Sequence, residues 1–182
     1  MPNETGLVLR IAEMQDAPTL LALIESAYRG DSSRQGWTTE ADLLKGQRTD
    51  EHGVRAAIIS DSGKSLMIVA ESAGQIVGCC QLEVKANGHC YFGMFAVRPE
   101  LQGNGTGRAI VGEAERQARK QFGSNELRLQ AFRQRTDLLG WYERLGFADT
   151  GDTEAFPYGN ESFGIPQRDD LEFVVMSKKL LS

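Results

Sequence analysis

The chain has 182 residues, of which 41% are hydrophobic and 25% charged, which fits one globular domain spanning residues 1–182 and excludes a disordered chain. Its formal net charge of -5 and lack of a clustered Lys/Arg surface exclude a nucleic-acid binder, since holding phosphates takes grouped cations. No apolar run approaches the roughly 18 residues that span a bilayer, Met1–Thr5 lacks a basic segment leading into an apolar one, and Cys79, Cys80 and Cys90 form neither a CxxC pair nor a complete disulfide set. The expectation is a metal-free cytoplasmic protein with no membrane partner, its oligomeric state open and a homodimer allowed.

Leu7–Ile11 reads as a first strand. Asp16 caps a helix whose apolar stripe is Leu20, Leu21, Leu23, Ile24 and Ala27. A polar, glycine-punctuated loop follows, and Thr39 with Asp42 three residues on predicts a short second helix through Leu44. Three apolar runs, Leu66–Ala70, Ile76–Val84 and Cys90–Val97, are separated by Ala73-Gly74 and Asn87-Gly88, which predicts an antiparallel meander. Ile110, Ala114, Ala118 and Phe122 recur at helical spacing, so a helix runs from about Gly105 to Phe122. Leu127, Leu129 and Ala131 alternate as a strand, Thr136–Leu145 is a short helix closed by Gly146, Phe147 opens another strand, and Leu171–Met176 is the last. The segment from Gly151 to Arg168 is expected to be a long irregular loop of functional use.

The chemistry concentrates at Gln102-Gly103-Asn104-Gly105-Thr106-Gly107-Arg108, between an apolar strand and an amphipathic helix. Glycines let backbone N–H groups converge, and the helix start adds about half a positive charge, which together make an anion site. A phosphate-binding P-loop needs Lys-Ser/Thr after its last glycine, whereas Arg108-Ala109 follows Gly107. A dinucleotide GxGxxG starting at Gly103 needs glycine at position 108, which is Arg108, and the preceding strands are a meander rather than a βαβ unit.

Gln102, Gly105 and Gly107 instead match Q/R-x-x-G-x-G/A, and Tyr142, Gly146 and Phe147 match a later Y-x-x-x-G-F block. In both respects the chain resembles the GNAT superfamily of N-acetyltransferases over roughly Leu66 to Phe147. The resemblance implies a mixed, mostly antiparallel α/β (α+β) fold with a sheet of about seven strands, splayed in the middle, with helices on both faces. It implies acetyl-coenzyme A as co-substrate and direct transfer to a primary amine, small or terminal. A non-catalytic coenzyme A-binding module on the same fold is the rival reading. By the same resemblance Phe95, Ala96 and Val97 border the pantetheine arm, Gly103, Gly105, Gly107 and Arg108 hold the pyrophosphate with Gln102, Asn104 and Thr106 in the same loop, and Tyr142 is the general acid for the departing thiolate. The family's Asn seven residues before the tyrosine is Arg135 here, which suggests a basic contact to the cofactor. Gly93 stands where many members carry a base.

For the missing base, Glu83 is the carboxylate of the central meander whose parity is opposite to Leu82 and Val84, so that it faces either the splay or solvent. Tyr28, Arg34 and Trp37 in and before the first loop and Tyr158 in the late loop are the candidates for the acceptor site, with plain hydrophobic plugging as the alternative. The acidic net charge, with Asp31 and Glu40 in that first loop, leads us to expect a cationic acceptor.

Overall fold

The computed structural model describes residues 6–29, 31–36, 39–60 and 62–181. The chain runs β1 (Val8–Ile11), α1 (Ala17–Tyr28), β2 (Leu44–Lys45), α2 (Glu51–Ile58), β3 (Ser65–Ser72), β4 (Gln75–Val84), β5 (Cys90–Val97), α3 (Thr106–Phe122), β6 (Glu126–Phe132), α4 (Thr136–Arg144), β7 (Ala148–Ala155), β8 (Ile165–Pro166) and β9 (Glu172–Lys179). Seven strands form one sheet in the order β1-β3-β4-β5-β6-β9-β7. Every neighbouring pair is antiparallel except β5 and β6.

The strands are almost continuously apolar because both faces of the sheet are covered. On one face Ile68, Cys80, Leu82 and Phe92 pack under α3, through Ile110, Ala114 and Ala118, and under Leu138 and Tyr142 of α4. On the other face Met67, Val69, Cys79 and Ala96 meet Leu20, Ile24 and Ala27 of α1 and Val54 and Ala57 of α2. Helix α3 sits close to the sheet because β4 offers a glycine beneath it. A Cβ on Gly78 would come within 2.5 Å of Ile110 Cδ1 and 3.2 Å of the Ala96 carbonyl.

The central irregularity lies in β5. Its register to β4 shifts between Cys79↔Ala96 and Gln81↔Gly93, so that Met94 and Phe95 oppose Cys80 alone, and Met94 takes a φ of 45°. This bulge moves the pleat by one residue. Phe92 and Phe95, three apart, therefore share the α3/α4 face with Cys90 and Val97, while Ala96 joins the other. Past the bulge β5 has also lost β6. Their parallel pairing is limited to Cys90↔Leu127 and Tyr91↔Arg128, and beyond it the two strands part into a wedge.

Two expectations fail. The segment after Thr39 forms turns and then β2 rather than a helix, and the second helix is α2, where the Asp50 carboxylate accepts from the Gly53 N–H at 2.7 Å. The stretch from Gly151 to Arg168 is only partly irregular. Strand β7 continues to Ala155, and Ile165–Pro166 pairs with Leu44–Lys45 as a small second sheet. Strand β7 carries no periodic apolar signal because it is a fully exposed edge, and it is bulged between Asp149 and Thr153, a device that discourages pairing with other chains.

Arg10 ties the entry of α1 to the sheet. Its guanidinium donates to Asp16 at 2.8 and 3.0 Å and to Glu71 at 2.7 Å, and Asp16 also accepts the Glu13 N–H at 2.7 Å. The hydrogen bond from Arg10 holds the Asp16 carboxyl below its ordinary 3.8, against the opposing effect of burial. A folded-state pKa below the unfolded one means stabilisation that is present above the unfolded value and lost as pH falls through the folded one. Asp16→Asn is therefore expected to cost roughly 1–2 kcal/mol at pH 7, with the gap to wild type closing on acidification below about pH 4. Urea melts of both proteins across that range measure it. A gap that persists unchanged in acid contradicts the assignment.

Candidate functional site

Between β5 and α3 the chain has to turn sharply and still present backbone N–H groups outward. Gly103 and Gly105 do this with φ of 90° and 91°, and Gly105 is the residue from which α3 starts. The Asn104 carboxamide oxygen accepts from the Thr106 N–H at 3.3 Å and from its hydroxyl at 2.8 Å. Gln102 folds back onto β5, where its Nε2 donates to the Val97 carbonyl at 3.0 Å. Asn104 and Thr106 thus shape the loop from within, and Gln102 anchors it.

A cavity of about 460 Å³ opens on this loop, between the end of β5 and α4. The exposed Arg108 and Arg144 line it with Trp141, which stacks on Phe95 at 5.7 Å between ring centres. A side chain on Gly107 would crowd the rings that line it, since a Cβ there would stand 3.1 Å from Phe95 Cζ and 3.3 Å from the Trp141 ring. With the positive end of α3 and two guanidinium groups around an open cradle, this is a fitting receptacle for a phosphorylated ligand with an apolar tail. Trp141 and Arg144 were not among the sequence candidates, although Asp137, Trp141 and Arg144 recur at one-turn spacing along α4.

A second cavity of about 370 Å³ lies on the other side of Phe95, where β5 and β6 diverge. Phe95 lines both spaces. Helix α4 divides them. Asp137, Trp141 and Arg144 face the first, while Leu138 and Tyr142, about 100° round the helix, face the second. The Tyr142 ring is packed edge-on against Phe92 and Phe147, and burial pushes its phenol well above the ordinary 10. No group among the described residues hydrogen-bonds its hydroxyl. Tyr28, also in this wall, donates its hydroxyl to the Phe95 carbonyl, which pins the bulged strand to α1.

The acceptor-site candidates divide. Tyr28 lines the second cavity, and the two loop regions do converge there, through Glu40, Leu44, Phe156 and Pro157. Arg34 instead pairs with Asp42 at 2.9 Å on the surface. The half-exposed Tyr158 donates to the Arg168 carbonyl and accepts from the Leu171 N–H. Neither lines the cavity. Trp37 and the Asp31 side chain lie outside the described residues. Arg135, expected to contact the cofactor, is buried in the wall of the second cavity and does not line the first. Glu83 is paired with Lys85 at 2.9 Å and lines neither cavity. It has the expected parity, opposite Tyr91 across the β4/β5 ladder.

The chain belongs to the acetyltransferase (GNAT) family, whose model matches residues 24–147. Among solved structures it resembles the ribosomal-protein-S18-alanine N-acetyltransferase from Escherichia coli, at 15% identity and TM-score 0.69 over 97% of this chain and 95% of that one. It also resembles the spermidine/spermine N-acetyltransferase from Vibrio cholerae, at 18% identity and TM-score 0.66 over 97% and 94%. A Bacillus anthracis structure described as a streptothricin acetyltransferase in complex with acetyl coenzyme A aligns at 18% identity and TM-score 0.55 over 64% and 62%. A search of curated protein sequences gives no match.

The cysteines take no part in this geometry as nucleophiles. Cys79, Cys80 and Cys90 are buried thiols, and burial raises Cys79 to about 12 and Cys90 to about 11. Reaction requires the thiolate, so iodoacetamide at pH 7.5 is expected to leave all three unmodified in the native protein and to label three in denaturant. Intact mass reads this directly, and rapid labelling of any one in the folded state refutes it.

Proposed function

We propose that the protein transfers an acetyl group from acetyl-coenzyme A to an amine in a single ternary complex. The observation that carries this reading is the pair of cavities meeting at Phe95, one with the anion cradle and the other closed off behind α4. The pyrophosphate would take the loop from Gly103 to Arg108, with Arg144 as a further cation. The pantetheine would run along the edge of β5 from Phe95 to Val97, which has no strand partner on the β6 side.

The acceptor nitrogen attacks the thioester carbonyl carbon. The C–N bond forms, the C–S bond breaks, and the electron pair leaves on sulfur. Holding both reactants in facing cavities removes the second encounter, which accounts for most of the rate. Tyr142, kept neutral by burial, donates its proton to the departing thiolate and regains one from solvent. Because burial raises its pKa, full transfer is more uphill than for an exposed tyrosine, so its contribution comes through hydrogen bonding as the sulfur charge develops. For the amine proton, the carboxylates that line the acceptor cavity are Glu40 and Glu154. Glu40 is held by Arg29, which leaves Glu154 to receive it through water. The buried free cysteines suit a reducing cytoplasm.

Acetyl-coenzyme A is expected to raise the melting temperature of the wild type. Gly105→Glu should remove that shift while leaving a folded protein, because it places a carboxylate where the phosphates would lie and strains a positive φ by about 1 kcal/mol. A cofactor shift that survives in the folded variant rejects the loop assignment.

Tyr142→Phe keeps the ring packing. Cofactor affinity should stay near normal while kcat falls by roughly 10²-fold. Full activity on a verified acceptor would make Tyr142 a packing residue and nothing more.

A further inference from the structure

Residue 93 has no side chain, and the space beside its Cα is taken by another ring. A Cβ on Gly93 would stand 2.8 Å from Cε1 of Tyr91, 3.5 Å from its Cδ1 and 3.7 Å from its Cζ, so the Tyr91 ring lies along β5 over the glycine. Both residues line the second cavity. Tyr91 belongs to the last pair by which β5 holds β6, which sets its ring at the point where the wedge opens. Lys85 stands over the ring, its Nζ 5.4 Å from the centre and paired with Glu83.

A third cavity, of about 610 Å³, lies beyond Tyr91 towards the β4/β5 hairpin. Four residues line both it and the second cavity: Tyr91, Leu129, Gln130 and Glu154. Its other walls include Lys85, Asp152 and Thr153, all exposed. The third cavity is thus a polar space open to water that meets the second at Tyr91 and Glu154. The Tyr91 hydroxyl has no hydrogen-bond partner among the described residues. Burial raises the phenol above its ordinary 10, with Arg48 opposing and Glu154 adding to the shift. A ring needed only for packing would serve as well without its oxygen. A neutral phenol with donor and acceptor both uncommitted can take one proton and give another in the same step.

We infer that Tyr91 relays the acceptor's proton: its hydroxyl oxygen accepts from the attacking amine, and its O–H donates to a water in front of Glu154. The inference rests on the acetyl-transfer reading above and names the group that stands between the amine and the carboxylate. As the C–N bond forms, the nitrogen becomes acidic and its proton passes to the Tyr91 oxygen. The phenol proton leaves in the same step for the water and Glu154, and from there for the third cavity. Tyr91 is neutral before and after, and Tyr142 separately protonates the sulfur. Gly93 is a positioning residue, because any side chain there would push the ring away.

The test uses the full chain with acetyl-coenzyme A and four acceptors, butylamine, lysine, glycylglycine and spermidine, with release of the coenzyme A thiol followed over time. For whichever amine is acetylated, Tyr91→Phe, which keeps the ring, should lower kcat by roughly 10²-fold with KM little changed. Gly93→Ala should lower kcat comparably by displacing the hydroxyl. In the double variant the two losses should not multiply, because the second substitution moves a ring that has already lost its oxygen. An unchanged melting shift with acetyl-coenzyme A identifies the variants as folded, since neither residue lines the first cavity. Tyr91→Phe decides alone if Gly93→Ala does not fold. The inference is overturned if Tyr91→Phe keeps the wild-type kcat, if its loss falls on KM, or if the two losses multiply. Failure of the underlying reading is separate, and appears as a wild-type protein that acetyl-coenzyme A does not stabilise or that acetylates none of these amines.

Discussion

The parting of β5 from β6 after Tyr91 is the constraint on which the rest depends. A parallel pair in mid-sheet would ordinarily continue its hydrogen bonds to the end of the shorter strand. Here it stops after Cys90↔Leu127 and Tyr91↔Arg128, and the bulge at Met94 turns β5 away. An extra residue in a strand bends it and shifts its pleat, and both effects are used. The bend opens the wedge that holds two cavities. The pleat shift brings Phe95 onto the face where α3 and α4 pack, so that one side chain stands between them. The cost is a non-glycine residue at positive φ and a strand edge left open, and surrounding contacts offset it. Cys79 Sγ donates to the Met94 carbonyl at 3.4 Å and the Tyr28 hydroxyl to that of Phe95.

Helix α4 makes the second contribution. A short amphipathic helix normally has one buried face and one wet face. This one lines a cavity with each of two faces, since Trp141 and Arg144 look into the first and Leu138 and Tyr142 into the second. The helix thereby sets how far apart two bound molecules would lie, and it does so with residues held by ring packing to Phe92, Phe95 and Phe147 rather than by loops. Burial keeps Tyr142 protonated at any working pH.

The second cavity also shows how little the net charge of the chain says about the charges gathered at one place on it. Acidic residues dominate the chain's count, yet the space behind Phe95 gathers arginines from the end of α1, from the segment before α2 and from the start of α4. They are 19 and 87 positions apart along the chain, and it is the sheet that makes them neighbours.

The sequence by itself determined most of the elements, because an alternating or helical period is a local property of which face is buried. The meander from β3 to β5, the helix after the glycine loop and α4 all stand within a few residues of where periodicity put them. The glycine loop was legible for a similar reason: positive φ at Gly103 and Gly105 requires glycine, and the requirement is written in the residue itself. Helix α2 was missed because Gly53 interrupts an otherwise good Asp50-capped pattern; the strand expected to open at Phe147 is β7, but its extent to Ala155 was not foreseen, because an exposed edge strand is recruited by its neighbour rather than by its own side chains. The tertiary structure alone decided which side chains meet in the second cavity. Whether Glu83 or Arg135 faces a ligand depends on where β5 leaves β6 and on how α4 rests across the gap, and those are relations between segments far apart in the chain. Parity along one strand gives the face of a side chain, but only the packing of sheet, helix and loops fixes which cavity, if any, that face adjoins.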